Sequence, residues 1–218
     1  MSHRLSRARR GAAARTASSI LRVSTSTAYH HGDLGPALLA AADELLVSGG
    51  VGALSLREVA RRAGVSHNAP YHHFADRKAL LKRLSERHME QLLDAQRRAY
   101  EAAPAGSASL RAIAEAYLDY AVTHPQGFAL VFDPEICVPG SPTPTMAPLI
   151  RANEDLLADV LTTMDPSLRG AELEATVAAV WSFAHGMATL VVAGHLPREG
   201  MASGLAALTS LARTVPEE

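Results

Sequence analysis

The sequence has few of the residue patterns on which metal sites and catalytic centres depend. Its 218 residues include one cysteine, Cys137, so a disulfide within the chain is excluded and a reducing cytoplasm is the expected compartment. Paired cysteines and a His-Glu-x-x-His motif are missing, as are a Gly-x-Ser-x-Gly nucleophile elbow and a glycine-rich phosphate loop. We therefore expect no metal ion, no cofactor and no enzymatic activity, although ten histidines are present.

Long apolar runs and alternating strand patterns are missing as well. We find no uninterrupted run of about eighteen apolar residues, so no membrane span is expected. No stretch alternates apolar and polar residues well enough to predict a strand. Because 48% of the residues are apolar, the chain as a whole is not disordered. Helical periodicity recurs from Leu34 onward, and we predict an all-α fold of about nine helices.

Acidic residues are scarce in the first part of the chain, although the whole chain has a net charge of −1. Residues 1–88 contain 14 Lys and Arg against 6 Asp and Glu, whereas residues 89–218 contain 7 against 16. A basic N-terminal part is suited to a polyanionic partner, and an acidic remainder is suited to a body that faces away from that partner.

Two short helices joined by a tight turn are predicted within residues 55–81. Ser55 can cap a helix that begins at Leu56, and Glu58 completes a capping box three residues later. Gly64 can end that helix in the left-handed conformation, and Ser66 can cap a second short helix. Two helices that meet across a three-residue turn containing glycine form a helix-turn-helix arrangement.

The first turn of the second helix is the part that we expect to face a partner. It exposes His67, Asn68 and Ala69, where the recognition helix of a helix-turn-helix protein presents side chains to base edges. Pro70 follows near the fourth position, where it removes at most one early backbone hydrogen bond, so the helix is short but possible.

A third helix is predicted to begin at Asp76, which can cap it, and to run to about Tyr100. Arg77 and Lys78 lie in its first turn, where cations are slightly unfavourable. Two cations at this position suggest a partner that supplies negative charge. Because this long helix joins the basic part to the remainder, any signal between them must pass along it or through its packing.

The run from residue 30 to residue 81 resembles the DNA-binding domain of the TetR family of bacterial transcription regulators. Both the residue types and their spacing carry this resemblance, in Ala60, Gly64, Val65, Ser66, Tyr71, His72, His73, Phe74, Lys78, Ala79 and Leu80. A shorter resemblance points to the subgroup with a WHG-type C-terminal domain. It is carried by His31, Gly32, Asp33, Leu34, Trp181, His185 and Gly186.

The resemblance assigns roles to individual residues of the predicted DNA-binding domain. The positions that hold phosphates in the family correspond here to Ser55, Ser66, Tyr71, His72 and Lys78. Phosphate contacts orient a DNA-binding domain without specifying sequence. We expect His67 and Asn68, with Ala69 beside them, to contact bases, because an asparagine can pair with adenine through two hydrogen bonds. A plain polar surface is the alternative for these residues.

Three regions are predicted along the chain. Residues 1–28 are a disordered basic arm, residues 29–76 a helix-turn-helix DNA-binding domain, and residues 77–218 a helical ligand-binding and dimerisation domain. The arm is rich in Arg, Ser and Ala and has no acidic residue before Asp33. An arm that enters the DNA minor groove, a transit peptide and a start codon placed too far upstream are the alternatives for this segment.

The middle and final helices hold the candidate ligand-binding residues, since the resemblance implies a pocket there. Trp181 and His185 lie one helical turn apart and so share a face. Aromatic and methionine side chains with few polar groups are suited to a mainly apolar small molecule. Ordinary core packing is the alternative for each single residue. The candidates are Tyr117, Phe128, Phe132, Met146, Asn153, Trp181 and His185.

Two further segments have more than one interpretation. Residues 133–148 contain five prolines and are predicted to be irregular, either as an exposed connector or as a gate over a ligand cavity. Residues 172–193 are apolar on nearly every face and are predicted to be buried all round. A last helix is predicted over residues 199–213. The last two helices are rich in small residues, and the resemblance implies that they form a homodimer as a four-helix bundle.

Together these features predict a cytoplasmic, sequence-specific DNA-binding transcription regulator. A two-fold dimer would bind an inverted-repeat operator, with recognition segments about 34–36 Å apart or somewhat wider. In the usual mode of the family, a repressor is released from DNA by a small ligand. An all-α enzyme with an apolar substrate and a structural protein that binds DNA without sequence preference are the two alternatives.

Overall fold

The computed structural model describes residues 34–201, 203–204 and 206–207, and within them the fold is all-α, as predicted. Seven α-helices are present where about nine helices were predicted: α1 Leu34–Gly49, α2 Leu56–Arg62, α3 Arg77–Ala102, α4 Ser107–Thr123, α5 Pro125–Val131, α6 Met146–Met164 and α7 Gly170–Val192. Two short 3-10 helices, Val51–Ala53 and Ala69–His72, lie between α1 and α3. The predicted arm, residues 1–28, and the predicted cap Asp33 lie outside the described residues.

We call residues 34–76 the head, and its helix boundaries follow local capping signals. The hydroxyl of Ser55 accepts a hydrogen bond from the backbone N–H of Glu58 at 3.1 Å, which caps α2 as predicted. Gly64 follows the end of α2 and has a φ of 68°. This is a left-handed conformation that a residue with a Cβ adopts only with strain. The carboxylate of Asp76 caps α3 by accepting from Ala79 N–H at 2.8 Å.

The predicted second helix, beginning at Ser66, was wrong as an α-helix. Pro70 has no N–H, so it cannot make the bond to the carbonyl of Ser66 that would close the first α-helical turn. The N–H of Ala69 bonds to that carbonyl instead, at 3.0 Å, and a 3-10 helix, Ala69–His72, follows. We call residues 66–73 the recognition segment.

A single apolar core holds the head together and extends beyond it. Leu38, Leu46 and Val59 are fully buried and pack with Leu80 and Leu84 at the start of α3. Two residues from further along the chain belong to the same core, namely Leu130 of α5 and Ile136 of the segment that follows α5. The head is therefore packed directly against parts of the second domain.

We call residues 77–207 the body, and α3 is its central helix. Over its 26 residues α3 packs against α1 in the head and against α4, α5 and α6 in the body. A second apolar core includes Met89 and Leu92 of α3 with Tyr117 of α4. One helix thus contributes to the cores on both sides of the boundary between head and body.

The proline-rich segment, residues 133–145, connects α5 to α6 without a regular helix, as predicted, whereas α6 begins at Met146 and includes Pro148. The hydroxyl of Thr143 bonds to the buried carboxylate of Glu86 on α3 at 2.5 Å. Ile136 is 8% exposed, so this segment is more than an exposed connector.

Helix α7 was predicted to be buried all round, and that prediction was wrong. Of its residues, Ala184 and Ala188 are buried, while Leu190 and Val192 are 42% and 40% exposed. One face of α7 packs on α4 and α6, and the opposite face is not covered by the described residues. Beyond α7, the described residues between 200 and 207 are helical, and residues 208–213 of the predicted last helix lie outside them.

By length and composition alone, α7 could cross a membrane, since a window within it has a mean hydropathy of 1.5. Thr176, Ser182 and His185 interrupt the apolar residues of this helix, and the expectation that the chain has no membrane span stays a prediction. The same helix forms part of the second apolar core through Phe183, Ala184 and Met187.

Candidate DNA interface and ligand cavity

The recognition segment presents polar side chains on the surface of the head. Ser66, His67 and Asn68 are exposed, and Ala69 is half-buried beside them. The next residue, Pro70, is buried and fixes the segment to the head. The candidate base-contacting residues therefore lie on one outward-facing turn.

The candidate phosphate-binding residues surround this turn. Tyr71 is 51% exposed, although it is one of the larger apolar side chains, and His72 is exposed next to it. Ser55, which caps α2, is also exposed, and its hydroxyl hydrogen remains available to a phosphate because the oxygen acts as the acceptor in the cap. Lys78 is exposed and forms no ion pair with the described residues.

Arg77 has a role different from the one expected for it. Its guanidinium donates to the backbone carbonyls of Leu54 and Val51, each at 2.7 Å, and so fixes the loop between α1 and α2 to the start of α3. Arg77 thus has partners within the chain, and the expectation of a negatively charged partner stays a prediction for Lys78.

A cavity of about 780 Å³ lies between α6, α7 and the helices beneath them. Its volume lies within the range of about 300–1,000 Å³ that is usual for small-molecule sites. Most of its lining is apolar. It is contributed by α3 (Met89, Leu92), α4 (Tyr117), α5 and the residues after it (Val131, Phe132, Cys137, Pro139), α6 (Met146, Ile150, Asn153, Glu154, Asp155, Leu157, Ala158) and α7 (Leu173, Glu174, Val177, Ala178, Trp181).

The structure brings together five of the seven candidate ligand-binding residues in the wall of this cavity, namely Tyr117, Phe132, Met146, Asn153 and Trp181. The other two, Phe128 and His185, do not line the cavity. They stack on each other behind it with ring centroids 5.4 Å apart.

His185 is held by a hydrogen bond and by aromatic rings. Its Nδ1 lies 2.9 Å from the hydroxyl of Tyr117, and its ring centroid lies 4.4 Å from that of Phe132. Burial lowers the pKa of His185 below its usual value, so its imidazole is neutral at pH 7. His185 thus supports two cavity-wall residues without itself lining the cavity.

The sequence did not identify the cavity residues that come from α3, from the proline-rich segment and from the first turns of α7. Met89 and Leu92 have the apolar spacing of a buried helix face, and that spacing does not distinguish a cavity wall from a core. Glu154 and Glu174 belong to different helices, and only the tertiary structure shows that they line one cavity. Ile150 lies three residues before Asn153 and so shares a face of α6 with it, and this spacing is a local signal that could have identified Ile150.

Cys137, which belongs to the proline-rich segment, lines the cavity. Burial and the nearby Glu86 carboxylate raise the pKa of its thiol above the usual value, and Lys82 opposes this only in part. A reactive thiol needs a lowered pKa, so this environment does not favour a redox role for Cys137. Among the described residues, no three His, Cys, Asp or Glu side chains are grouped as metal ligands.

A buried polar network links the head to the body. His88 on α3 is fully buried, and its Nε2 lies 3.1 Å from the carboxylate of Asp43 on α1. Its Nδ1 lies 2.8 Å from the hydroxyl of Tyr120 on α4, which donates to the side chain of Gln91 at 3.1 Å. The close contact with His88 lowers the pKa of Asp43, although burial partly opposes this, so the carboxylate is ionised at neutral pH.

An exposed recognition segment on a helical head, with an apolar cavity in the body, is the arrangement of a DNA-binding regulator that has a small-molecule pocket. Comparison with known proteins agrees. Residues 38–84 match the family model described as bacterial regulatory proteins, tetR family, and residues 110–214 match the model described as tetracyclin repressor-like, C-terminal domain. The chain belongs to the TetR family of transcription regulators, whose members are not enzymes.

Three individual proteins show how far the similarity extends. The HTH-type transcriptional activator FasR of Mycolicibacterium smegmatis is 35% identical over 96 residues, which cover 44% of this chain and 44% of FasR. A protein of unknown function from Rhodococcus sp. RHA1 is 34% identical, with a TM-score of 0.73 over 88% of this chain and all of that one. The TetR family regulator PfmR of Thermus thermophilus shares the fold at 24% identity, with a TM-score of 0.58 over 78% of this chain and 95% of PfmR.

TetR-type regulators bind DNA and small-molecule ligands and form dimers. The narrower assignment to the WHG-type subgroup stays a prediction.

Proposed function

We propose that this chain is a cytoplasmic, homodimeric, sequence-specific DNA-binding regulator whose affinity for an inverted-repeat operator changes when a mainly apolar small molecule enters the body cavity. The predicted domain of residues 29–76, which includes the head, contacts DNA, and residues 77–218 bind the ligand and the second subunit. The basic arm, residues 1–28, adds contacts to the phosphate backbone.

Exposure and charge support the assignment of the DNA-binding residues. Asn68 and His67 project from a turn that Pro70 anchors, so they can reach base edges without loss of apolar packing. Ser55, Tyr71 and His72, with Ser66 and Lys78, lie around that turn and contact phosphates. Binding should therefore weaken steeply as the salt concentration rises, because phosphate contacts release counterions.

One observation carries the link between ligand and DNA, namely the placement of two consecutive residues. Ile136 packs in the core of the head, whereas Cys137 lines the cavity. The same division occurs in α5, where Leu130 belongs to the head core and Val131 to the cavity wall. A ligand that displaces Val131 or Cys137 must therefore alter the packing of the head. The ligand shifts the population between two positions of the head only as far as its affinities for the two corresponding states of the protein differ.

The uncovered face of α7 is the surface that we assign to the second subunit, together with the last helix. Small exposed residues at spacings of three, four and seven lie on this face, so another helix can approach closely. Leu190 and Val192 add apolar surface at its end. The small residues are Ala171, Ala175, Ala178, Ser182 and Thr189.

A gel-shift titration on the DNA upstream of the chain's own gene tests the function. The proposal is supported if binding is specific for this DNA and changes when a ligand of the cavity is added. It is refuted if neither competitor DNA of other sequence nor any ligand affects binding. Because FasR is named a transcriptional activator, in vitro transcription from the same DNA should be recorded for a change of either sign.

A further inference from the structure

We propose that the cavity accepts an amphiphilic molecule whose polar end forms hydrogen bonds and carries no negative charge, such as a long-chain amine or alcohol, and that it discriminates against carboxylates and phosphates. This inference rests on the proposed function, since it assumes that the cavity is the ligand site. It goes further by assigning the chemical class of the ligand.

The buried part of the lining accounts for the apolar body of the ligand. Met89, Leu92, Val131 and Leu157 are each at most 6% exposed and present only apolar groups to the cavity. The hydroxyl of Tyr117, the other large buried group here, already bonds to His185. This region therefore offers contact to hydrocarbon and no partner to a polar group.

Asn153 supplies the one uncharged amide in the lining. It is 8% exposed, and its side-chain oxygen makes no hydrogen bond with the described residues. A buried amide without a partner is unfavourable, and a ligand that supplies a hydroxyl or an amine removes that penalty. Since an amide both donates and accepts, it binds a polar end without requiring a charge.

The charges around the cavity have one sign. Glu154, Asp155 and Glu174 line it and are exposed, so they lie on its solvent side, and no Lys, Arg or His is among the lining residues. An anionic end would leave water and meet like charge without a counter-ion. A protonated amine would meet carboxylates and could also lie against the ring of Trp181.

The charged residues on the side of the cavity near the proline-rich segment do not make its surroundings positive. Lys82 is the cation that affects Cys137 there, and Glu86 has the larger effect of opposite sign. Glu86 is buried, accepts the hydrogen bond of Thr143 and lies 3.5 Å from the guanidinium of Arg83. This side of the cavity therefore adds no excess of positive charge, and the negative charge that an anionic ligand would meet comes from Glu154, Asp155 and Glu174.

Fluorescence of Trp181, the single tryptophan, gives a direct measure of binding that does not depend on DNA. The full-length protein should be titrated at pH 7 with dodecylamine, dodecanol, dodecane and dodecanoate, each below its aggregation concentration. We expect the amine and the alcohol to bind at least about tenfold more tightly than the carboxylate, a factor of ten being about 1.4 kcal/mol. Tightest binding by dodecanoate, or binding by none of the four, would overturn the proposal.

Two variants test the residues to which the selectivity is assigned. In the triple variant E154Q, D155N and E174Q, the preference for amine over carboxylate should fall by about tenfold. The control variant D94N, E101Q and E115Q removes the same charge from exposed positions outside the cavity and should keep the preference. Asn153→Leu should weaken binding of dodecanol and not that of dodecane, whereas equal loss for both would assign Asn153 a merely structural role.

Failure of this inference differs from failure of the proposed function. If dodecanoate bound tightest and also changed DNA affinity, the regulator would stand and the ligand class would be wrong. If the amine bound tightest without any effect on DNA, the ligand class would stand and the proposed coupling would be wrong.

Discussion

Gly127 lies so close to His88 that a Cβ on this glycine would be 2.3 Å from the imidazole ring. His88 can therefore occupy its position only because residue 127, in the first turn of α5, is a glycine. Since His88 contacts Asp43 of the head and Tyr120 of the body, the close approach of α5 and α3 also fixes the polar link between the two domains.

Gly127→Ala should destabilise the protein by about 1–3 kcal/mol, because His88 is fully buried and must move out of its hydrogen bond to make room. Denaturant unfolding followed by circular dichroism measures this change. Gly52→Ala is the matched control, since a Cβ there meets nothing within 4 Å. Equal stability of the two variants would show that the contact with Gly127 does not position His88.

Ile136→Ala should uncouple the ligand from DNA binding. The change removes the contact of the proline-rich segment with the head core and leaves the cavity-lining Cys137 in place. Ligand binding, measured by Trp181 fluorescence, should be kept, while the effect of ligand on operator affinity should fall severalfold. Stability should decrease by about 2–5 kcal/mol, as for other large-to-small core substitutions.

Val138→Ala is the control for this experiment, since Val138 belongs to the same segment and is 42% exposed. It should change neither stability nor coupling. If Ile136→Ala left the response to ligand intact, the route through this segment would be wrong.

His185 predicts a specific pH dependence of stability. The pKa of His185 is lower in the folded chain than its ordinary value of 6.5 in the unfolded chain. As the pH falls below 6.5, the unfolded chain therefore takes up a proton at His185 before the folded chain does, and unfolding becomes more favourable. The stabilisation is therefore complete above pH 6.5 and is lost as the pH falls towards the lowered folded value. The free energy of unfolding of the His185→Asn variant, measured from pH 8 to about pH 5, should not show the decrease that the natural chain shows. His195→Asn, a change at an exposed histidine, should retain it.

Ala175→Arg should weaken the dimer without unfolding the chain. Ala175 is exposed on the uncovered face of α7 and does not line the cavity, so a charged side chain there affects only a second subunit. Sedimentation velocity should give a dissociation constant raised by at least about tenfold. Ala102→Arg, a change at an exposed alanine at the end of α3, should remain dimeric. Two variants that sediment alike would remove α7 from the interface.

Local residue chemistry was sufficient to predict the boundaries in the head. Ser55, Gly64 and Asp76 act through backbone groups within a few residues, so their effect is readable from neighbouring positions alone. The recognition segment was mispredicted because Pro70 removes one bond that a short helix could not spare.

Tertiary features were less accessible. The apolar composition of α7 does not reveal whether its own chain or another one covers it, and Leu190 and Val192 are exposed here. Asn153 and Trp181 were predicted to share a site because both types are common in pockets. The acidic side of the cavity could not be foreseen, since Glu154 and Glu174 come from separate helices.

Two substitutions in the candidate DNA interface separate sequence recognition from general affinity. Asn68→Ala should cost about 1–3 kcal/mol and relax the preference at one operator position in each half-site. Lys78→Ala should weaken binding to all sequences alike and reduce the salt slope by about one. Affinity measured on a set of operator variants at several salt concentrations distinguishes the two effects. A uniform loss in both variants would contradict this division of roles.

Selection of bound sequences from a random DNA pool by the full-length protein tests the central claim most directly. A dimer that presents two recognition segments should enrich an inverted repeat whose half-site centres lie about one helical turn apart or somewhat further. Enrichment of a single undivided site, or of no sequence at all, would contradict the account.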